Sequence, residues 1–294
     1  MVKEQQTQRK QKDLAEKQLL DCNDVFADIV NAVVFQGKQI IKPKDLREAH
    51  PVSSYREDGF RSQERDIAKR WVKGNATICF FGMENQNEID PDMLFRNIGY
   101  DGGTYRDELN HGKERYPVIT FVMYYGDRPW NRPLTLYEAL GNIPEELKRY
   151  VNDYRMNLID VKRMSQSERD RLKSDFWHIV KMIQEGNRSD YEPDDARTIV
   201  HAKEVGAFMT EYSGINYSGA VKSLSKRHER ITMKSLLSEA EKKEIRDEAA
   251  VKTTAADVLN LMKKKNMEIE DIFETLEVPD DLREAVLEEV KRLS

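Results

Sequence analysis

Apolar positions along this chain recur in short periodic runs, and the period changes from segment to segment. From Asn23 to about Phe35, the residues Val25, Phe26, Ile29, Val30, Val33 and Val34 repeat at helical spacing. Asn23 is placed to cap this helix and Gly37 to end it, while Asp24, Asp28 and Asn31 share its other edge. Residues 65–71 and 76–83 read instead as two strands joined at Lys73-Gly74-Asn75, a hairpin turn. The second of them, Ala76 to Met83, is mostly apolar on both faces, as a strand in the middle of a covered sheet should be. Asp90-Pro91 opens another helix, with Leu94, Ile98 and Tyr105 turned to a core, although Gly99, Gly102 and Gly103 each cost it ~1 kcal/mol relative to alanine. A third buried strand runs from Pro117 to Tyr125 and stops at Gly126-Asp127. The order helix, hairpin, helix, strand predicts an α/β core within residues 21–165.

The flanks carry different patterns. The first twenty residues alternate charges without a wide apolar stripe and read as a frayed helix or arm, and the polar stretch from Lys42 to Arg61 reads as a loop with a short helix start at most. Beyond Ser165 the spacing is helical throughout: Phe176, Ile179, Val180 and Ile183, then Val205, Phe208 and Met209. The last forty residues predict three short helices, with Thr254 and Asp257 as a capping signature and Val278-Pro279 as a break. The expected division is therefore an arm over 1–20, an α/β domain over 21–165, a helical extension over 166–250 and a small three-helix segment over 251–294.

Composition narrows the function. With 48 Lys+Arg against 53 Asp+Glu the net charge is −5, which argues against wrapping nucleic acid by bulk charge but leaves room for a local basic channel. Two cysteines, Cys22 and Cys79, make no disulfide framework and no zinc motif. The longest apolar run, Val118 to Tyr125, is too short to span a bilayer, and the first thirty residues lack a leader pattern, so a soluble cytoplasmic protein without membrane contact is expected. There is no phosphate-binding glycine loop, no dinucleotide fingerprint and no nucleophile elbow, so an ATPase, a dehydrogenase and a serine hydrolase all lose ground. The five histidines, His50, His111, His178, His201 and His228, are scattered without metal-ligand spacing.

One constellation suggests chemistry. Glu84-Asn85-Gln86 follows the buried strand, and Asp66 lies on the preceding one with seventeen residues between it and Glu84. A hairpin can bring the two acids together, and a hard divalent cation would relieve their repulsion. Strand alternation puts Glu84 and Gln86 on one face and Asn85 on the other, so Gln86 can orient a water or phosphate beside a metal ligand. This is the geometry of the PD-(D/E)xK nuclease core, in which a metal activates water and neutralises phosphate charge.

Several ordered segments strengthen that reading: Asp24-Val-Phe-Ala-Asp-Ile-Val-Asn31, Gly37-Lys-Gln-Ile-Ile-Lys-Pro-Lys-Asp-Leu46, Arg65-Asp66, Glu84-Asn-Gln86, Arg96-Asn-x-x-Tyr100-Asp101 and Pro117-Val-Ile-Thr-x-Val-x-Tyr-Tyr-Gly126. Together they resemble the recombination-promoting nuclease family, also described as transposases, of the PD-(D/E)xK superfamily. The resemblance covers residues 20 to about 140. It implies a nuclease-like core sheet flanked by helices with an all-helical C-terminal extension. It also implies magnesium-dependent endonucleolytic cleavage of DNA, linked to recombination or mobile elements. Asp66 and Glu84 would be catalytic carboxylates, holding Mg²⁺ or Mn²⁺ together with the carbonyl of Asn85. Gln86 stands where the superfamily usually has lysine, Asp28 where related folds place an auxiliary acid, and Arg96 opens an Arg-x-x-x-Tyr signature. The chain departs from the family pattern at Asn87, at Met93-Leu94-Phe95 and at Gly102-Gly103. A catalytically inactive DNA- or protein-binding member of the same fold is the alternative.

For a DNA-facing surface the candidates are Lys69, Arg70 and Lys73 beside Asp66, and Lys222, Lys226, Arg227, Arg230 and Lys234 within thirteen residues. The terminal helices carry Glu268, Glu270, Asp271, Glu274 and Glu277 without a basic residue between them, so phosphates would repel that stretch. A packing or homo-oligomerisation module is expected there instead.

Overall fold

The computed structural model describes residues 2–49, 52–57, 59–110, 115–186, 191–265 and 269–293. It divides into two compact units, Met1–Glu192 and Pro193–Ser294.

The first unit begins with two helices, α1 (Val2–Leu20) and α2 (Asn23–Val34). Of the frayed helix or arm expected, the structure has the helix. Its C-terminal part docks through Ala15, Leu19 and Leu20, all buried, and three apolar residues in the last two turns are too few to make a wide apolar stripe. α2 buries Val25, Phe26, Ile29 and Val30 as its periodicity requires, but its N-cap is Cys22 rather than Asn23. Gly37 takes φ +85° at the exit. Asn31, fully buried, then holds the following chain: its Nδ2 donates to Ile41 O at 2.8 Å, and its Oδ1 accepts from the amides of Ile40 and Ile41 at 3.1 and 2.9 Å.

Five strands form the main sheet: β1 (Leu46–Glu48), then, after the separate antiparallel hairpin of β2 (Val52–Glu57) and β3 (Gly59–Glu64), β4 (Ile67–Lys73), β5 (Ala76–Gln86), β6 (Val118–Tyr124) and β7 (Asn157–Asp160). Their order is β1-β4-β5-β6-β7. The polar stretch expected to be a loop therefore supplies an edge strand and a hairpin; three-residue strands and polar ribbons carry no apolar alternation to announce them. β4 and β5 are antiparallel across Gly74-Asn75, with Gly74 at φ +59°, whereas β5, β6 and β7 run parallel. β5 lies at the centre, which explains its run of apolar residues on both faces.

The register of the hairpin carries one irregularity. Trp71 faces Cys79, but Val72 faces Thr77, so Ile78 is an extra, exposed residue in a β-bulge.

α2 covers one face of the sheet, where Phe26 meets Phe81 edge-on at 6.5 Å. α3 (Met93–Asn110) covers the other, packing Met93, Leu94 and Tyr100 with Val122 and Met156. It runs through Gly99, Gly102 and Gly103 because burial against the sheet outweighs the local cost of those glycines. Short helices α4 (Leu136–Leu140), α5 (Glu145–Lys148) and α6 (Gln166–Arg169) follow, α4 and α6 each opened by a capping box, and α7 (Phe176–Glu185) buries Phe176, Ile179 and Val180.

The second unit is helical: α8 (Ala202–Ser213), α9 (Tyr217–Lys226), α10 (Met233–Lys265), α11 (Ile269–Thr275) and α12 (Asp280–Leu293). The first of the three expected terminal helices is the end of the 33-residue α10, so Thr254 and Asp257 lie inside a helix and cap nothing. Ala255 and Val258 of α10, Ile272 and Phe273 of α11, and Val286 and Val290 of α12 close one core. The architecture is the nuclease-like α/β core with an all-helical C-terminal extension. Among the described residues, no helix is long and apolar enough to cross a membrane.

Candidate functional site

The position of Asp66 is set by its neighbour. Arg65 is only 1% exposed and is fully engaged: Nε donates to Thr120 Oγ1 at 3.1 Å, Nη1 to Thr104 Oγ1 at 2.8 Å and Nη2 to Asp101 Oδ1 at 2.9 Å. Asp101 is completed by the hydroxyls of Thr120 and Tyr154, at 2.6 and 2.7 Å. Gly82 leaves the room this requires, since a Cβ there would lie 2.5 Å from Arg65 Cδ. With Arg65 anchored between the sheet and α3, Asp66 emerges at the start of β4.

Register then brings the acids together. Ile67 faces Met83, so the next pair toward the strand end is Asp66 and Glu84. Asp66 Oδ2 accepts from the Asn85 amide at 2.7 Å, and Asp66 Oδ1 receives Lys17 Nζ of α1 at 2.8 Å. Glu84 is 4% exposed. Its Oε1 accepts from Arg96 Nη2 at 2.5 Å and from the Tyr100 hydroxyl at 3.1 Å. Arg96 also reaches Asp90 Oδ2 at 2.7 Å, and Asp90 Oδ1 accepts from the Asp92 amide at the start of α3. The Arg-x-x-x-Tyr signature is thus one helical turn whose two side chains grip the same carboxylate oxygen. The second oxygen, Oε2, is buried without a hydrogen-bond partner.

Burial and the nearby Asp66 charge push the Glu84 carboxyl up to about 7, against the opposing pull of Arg96 and Tyr100. A buried carboxylate oxygen without a donor, next to a second carboxylate, is the donor set a hard cation satisfies. Among the described residues, no three His, Cys, Asp or Glu side chains group as a metal site. An ion here would thus draw on the two carboxylates, a backbone carbonyl and water or phosphate oxygens, a mode that suits Mg²⁺.

The other candidate residues are more dispersed. Gln86 ends β5, half-buried, and its carbonyl accepts from the Tyr125 amide at 2.9 Å. The side-chain amide of Asn85 is buried on the opposite face and has no hydrogen-bond partner. Asp28 is buried and accepts from the Lys173 and Ser174 amides at 2.7 and 2.8 Å, hydrogen bonds that tie α2 to the segment entering α7 rather than to the acid pair.

Of the three strand cations, Lys69 needs correcting. It is fully buried, paired with Glu48 at 2.7 Å and Asp21 at 2.9 Å and lying over the Phe26 ring, so its charge fastens β4 to β1 and the α1–α2 corner instead of facing a phosphate. Arg70 donates to the Tyr116 hydroxyl at 3.1 Å, and Lys73 is exposed beside Trp71. In the second unit, Lys222 and Lys226 are exposed on α9, while Arg227 pairs with Glu229 and Glu239 and Arg230 bonds Thr198 and the Ala196 carbonyl. His50 and His111 lie outside the described residues.

Lys17 and Asp90 escaped the sequence reading as site residues. Asp90 was legible as a helix start, but its second partner, Arg96, becomes apparent only once the helix is built. Lys17 sits in a charge-rich helix whose docking face is confined to its last turns.

The family model described as "Putative transposase, YhgA-like" matches residues 17–201. The chain belongs to that family. The YhgA-like segment includes the whole acid pair, Lys17, Arg96 and Tyr100. No curated protein and no solved structure matches the chain.

Proposed function

We propose that this YhgA-like transposase homologue is a metal-dependent DNA endonuclease of the recombination-promoting type, hydrolysing phosphodiester bonds at Asp66 and Glu84. One observation carries the reading: Arg96 and Tyr100 occupy Glu84 Oε1 and leave Oε2 buried and unpartnered beside Asp66. Glu84 Oε2, Asp66 and the Asn85 carbonyl would hold Mg²⁺ or Mn²⁺. Such an ion, when bound, lowers the pKa of coordinated water and neutralises phosphate charge.

The chain's own groups do the rest. Asp66 is fixed by the Asn85 amide, so its free lone pairs keep one direction. Gln86, two residues beyond Glu84 on the same face, orients the attacking water or a phosphate oxygen through its amide. It carries no base at neutral pH, so the proton of the attacking water passes to a substrate phosphate or to solvent. Lys73, Lys222 and Lys226, exposed and distributed over the two units, hold the DNA backbone.

The test is cleavage of supercoiled and linear duplex DNA with Mg²⁺, Mn²⁺ or Ca²⁺, comparing the wild type with Asp66→Ala and Glu84→Ala. Metal-dependent cutting that falls by at least ~1000-fold in both variants is expected. Equal cutting by all three would mark a contaminant. Folded wild-type protein that binds DNA without cutting would instead be a binding member of the fold.

A further inference from the structure

The strand motif Glu84-Asn85-Gln86 sets an acid and two amides together without a cation. A phosphodiester at this place brings negative charge toward two carboxylates, and attack on phosphorus moves more negative charge onto its non-bridging oxygens. Arg96 is engaged by Asp90, Glu84 and Tyr100. On the other side of the pair, α1 places Lys17 Nζ 2.8 Å from Asp66 Oδ1, with the lysine side chain 38% exposed.

That placement is built into the fold. Glu16, immediately before Lys17, is fully buried and accepts from Asn87 Nδ2 at 2.9 Å, one residue beyond Gln86. Leu19 and Leu20 are buried just after it. The helix is thus clamped onto the end of the strand that carries the motif, and Lys17 reaches the acid on the neighbouring strand. A lysine serving solubility alone would need none of these contacts.

We propose that Lys17 is the catalytic cation of this site, its ammonium meeting a non-bridging oxygen of the scissile phosphate, a part the uncharged amide of Gln86 cannot play. The assignment rests on the nuclease reading above. In the balanced step, the water oxygen forms a bond to phosphorus and gives up a proton to a substrate phosphate or to solvent, the bond from phosphorus to the leaving sugar oxygen breaks with its electron pair, and that oxygen takes up a proton from solvent. Lys17 keeps its proton throughout and contributes charge and one hydrogen bond.

A salt bridge that merely fixed Asp66 would behave differently. An ammonium beside a ligand oxygen repels a divalent ion, so removing it from a catalytic position tightens metal binding while slowing cleavage. Removing a mere fixture loosens Asp66 and weakens both. The experiment measures Mn²⁺ binding to the full chain by calorimetry without DNA, and DNA cleavage at saturating Mn²⁺, for wild type, Lys17→Met, Lys17→Arg and Asp66→Ala, with Lys17→Gln in reserve if the methionine variant does not fold.

The expected result for Lys17→Met is Mn²⁺ affinity raised about threefold or more with cleavage lowered at least ~100-fold, and Lys17→Arg within about tenfold of wild type. Cleavage unchanged in Lys17→Met, or affinity and cleavage falling together, overturns the assignment while Asp66-dependent cutting by the wild type leaves the nuclease reading in place. Absence of wild-type cutting, or cutting indifferent to Asp66→Ala, overturns both.

Discussion

Glu84 is ionised at a cost. Burial and the Asp66 charge raise its carboxyl to about 7, whereas an unfolded chain would leave it in the ordinary carboxylate range. A proton is therefore bound more tightly in the folded state, and the stability this contributes is full below the unfolded value and lost as pH rises through about 7. Metal-free Glu84→Gln should accordingly gain on the wild type between pH 5 and pH 8, by on the order of 3 kcal/mol, in paired urea unfolding curves. A flat difference across that range would mean that Arg96 and Tyr100 compensate the buried charge. Arg65 presents the opposite case, a buried charge each of whose three nitrogens donates to an acceptor. Arg65→Met should cost about 3–5 kcal/mol in urea unfolding, because Asp101 would be left charged in the interior without its partner.

At the scale of elements, the hairpin of β4 and β5, the capped start of α3 and the parallel strand β6 were all legible in the sequence, because each has a strong local signal: a glycine turn, an Asp-Pro pair, an unbroken apolar run. That the hairpin brings Asp66 and Glu84 to the same end of the sheet was legible for the same reason, but their pairing in register rests on the bulge at Ile78, which no local signal announces. What stayed hidden depends on contacts distant in sequence. Lys69 has the look of a surface cation until Asp21, Glu48 and the ring of Phe26 are packed around it. Thr254 and Asp257 have a capping spacing, yet α10 continues through them because its later turns are held by α11 and α12. The docking of α1 rests on Ala15, Leu19 and Leu20, too few apolar residues to stand out among nineteen.

The whole molecule joins an α/β unit that holds the acid pair to a helical unit that holds exposed lysines. If DNA contacts are shared in this way, Lys222→Ala/Lys226→Ala should weaken DNA binding and reduce the slope of log affinity against log salt by about two, with Mn²⁺ binding unchanged. Salt titrations at fixed metal would show it, and an unaltered slope would remove α9 from the DNA surface. The extra residue of the β4–β5 ladder has a longer reach than its exposed position suggests. From the turn to Val72 each paired position sums to one less than from Trp71 onward, so Ile78 alone accounts for Asp66 standing opposite Glu84 and not opposite Met83. Many side chains could replace Ile78, and a single-codon deletion there would close the bulge with Asp66 still opposite Glu84; a regular ladder that took Ile78 into pairing would instead set Asp66 opposite Met83 and leave both acids intact in sequence but out of register in space.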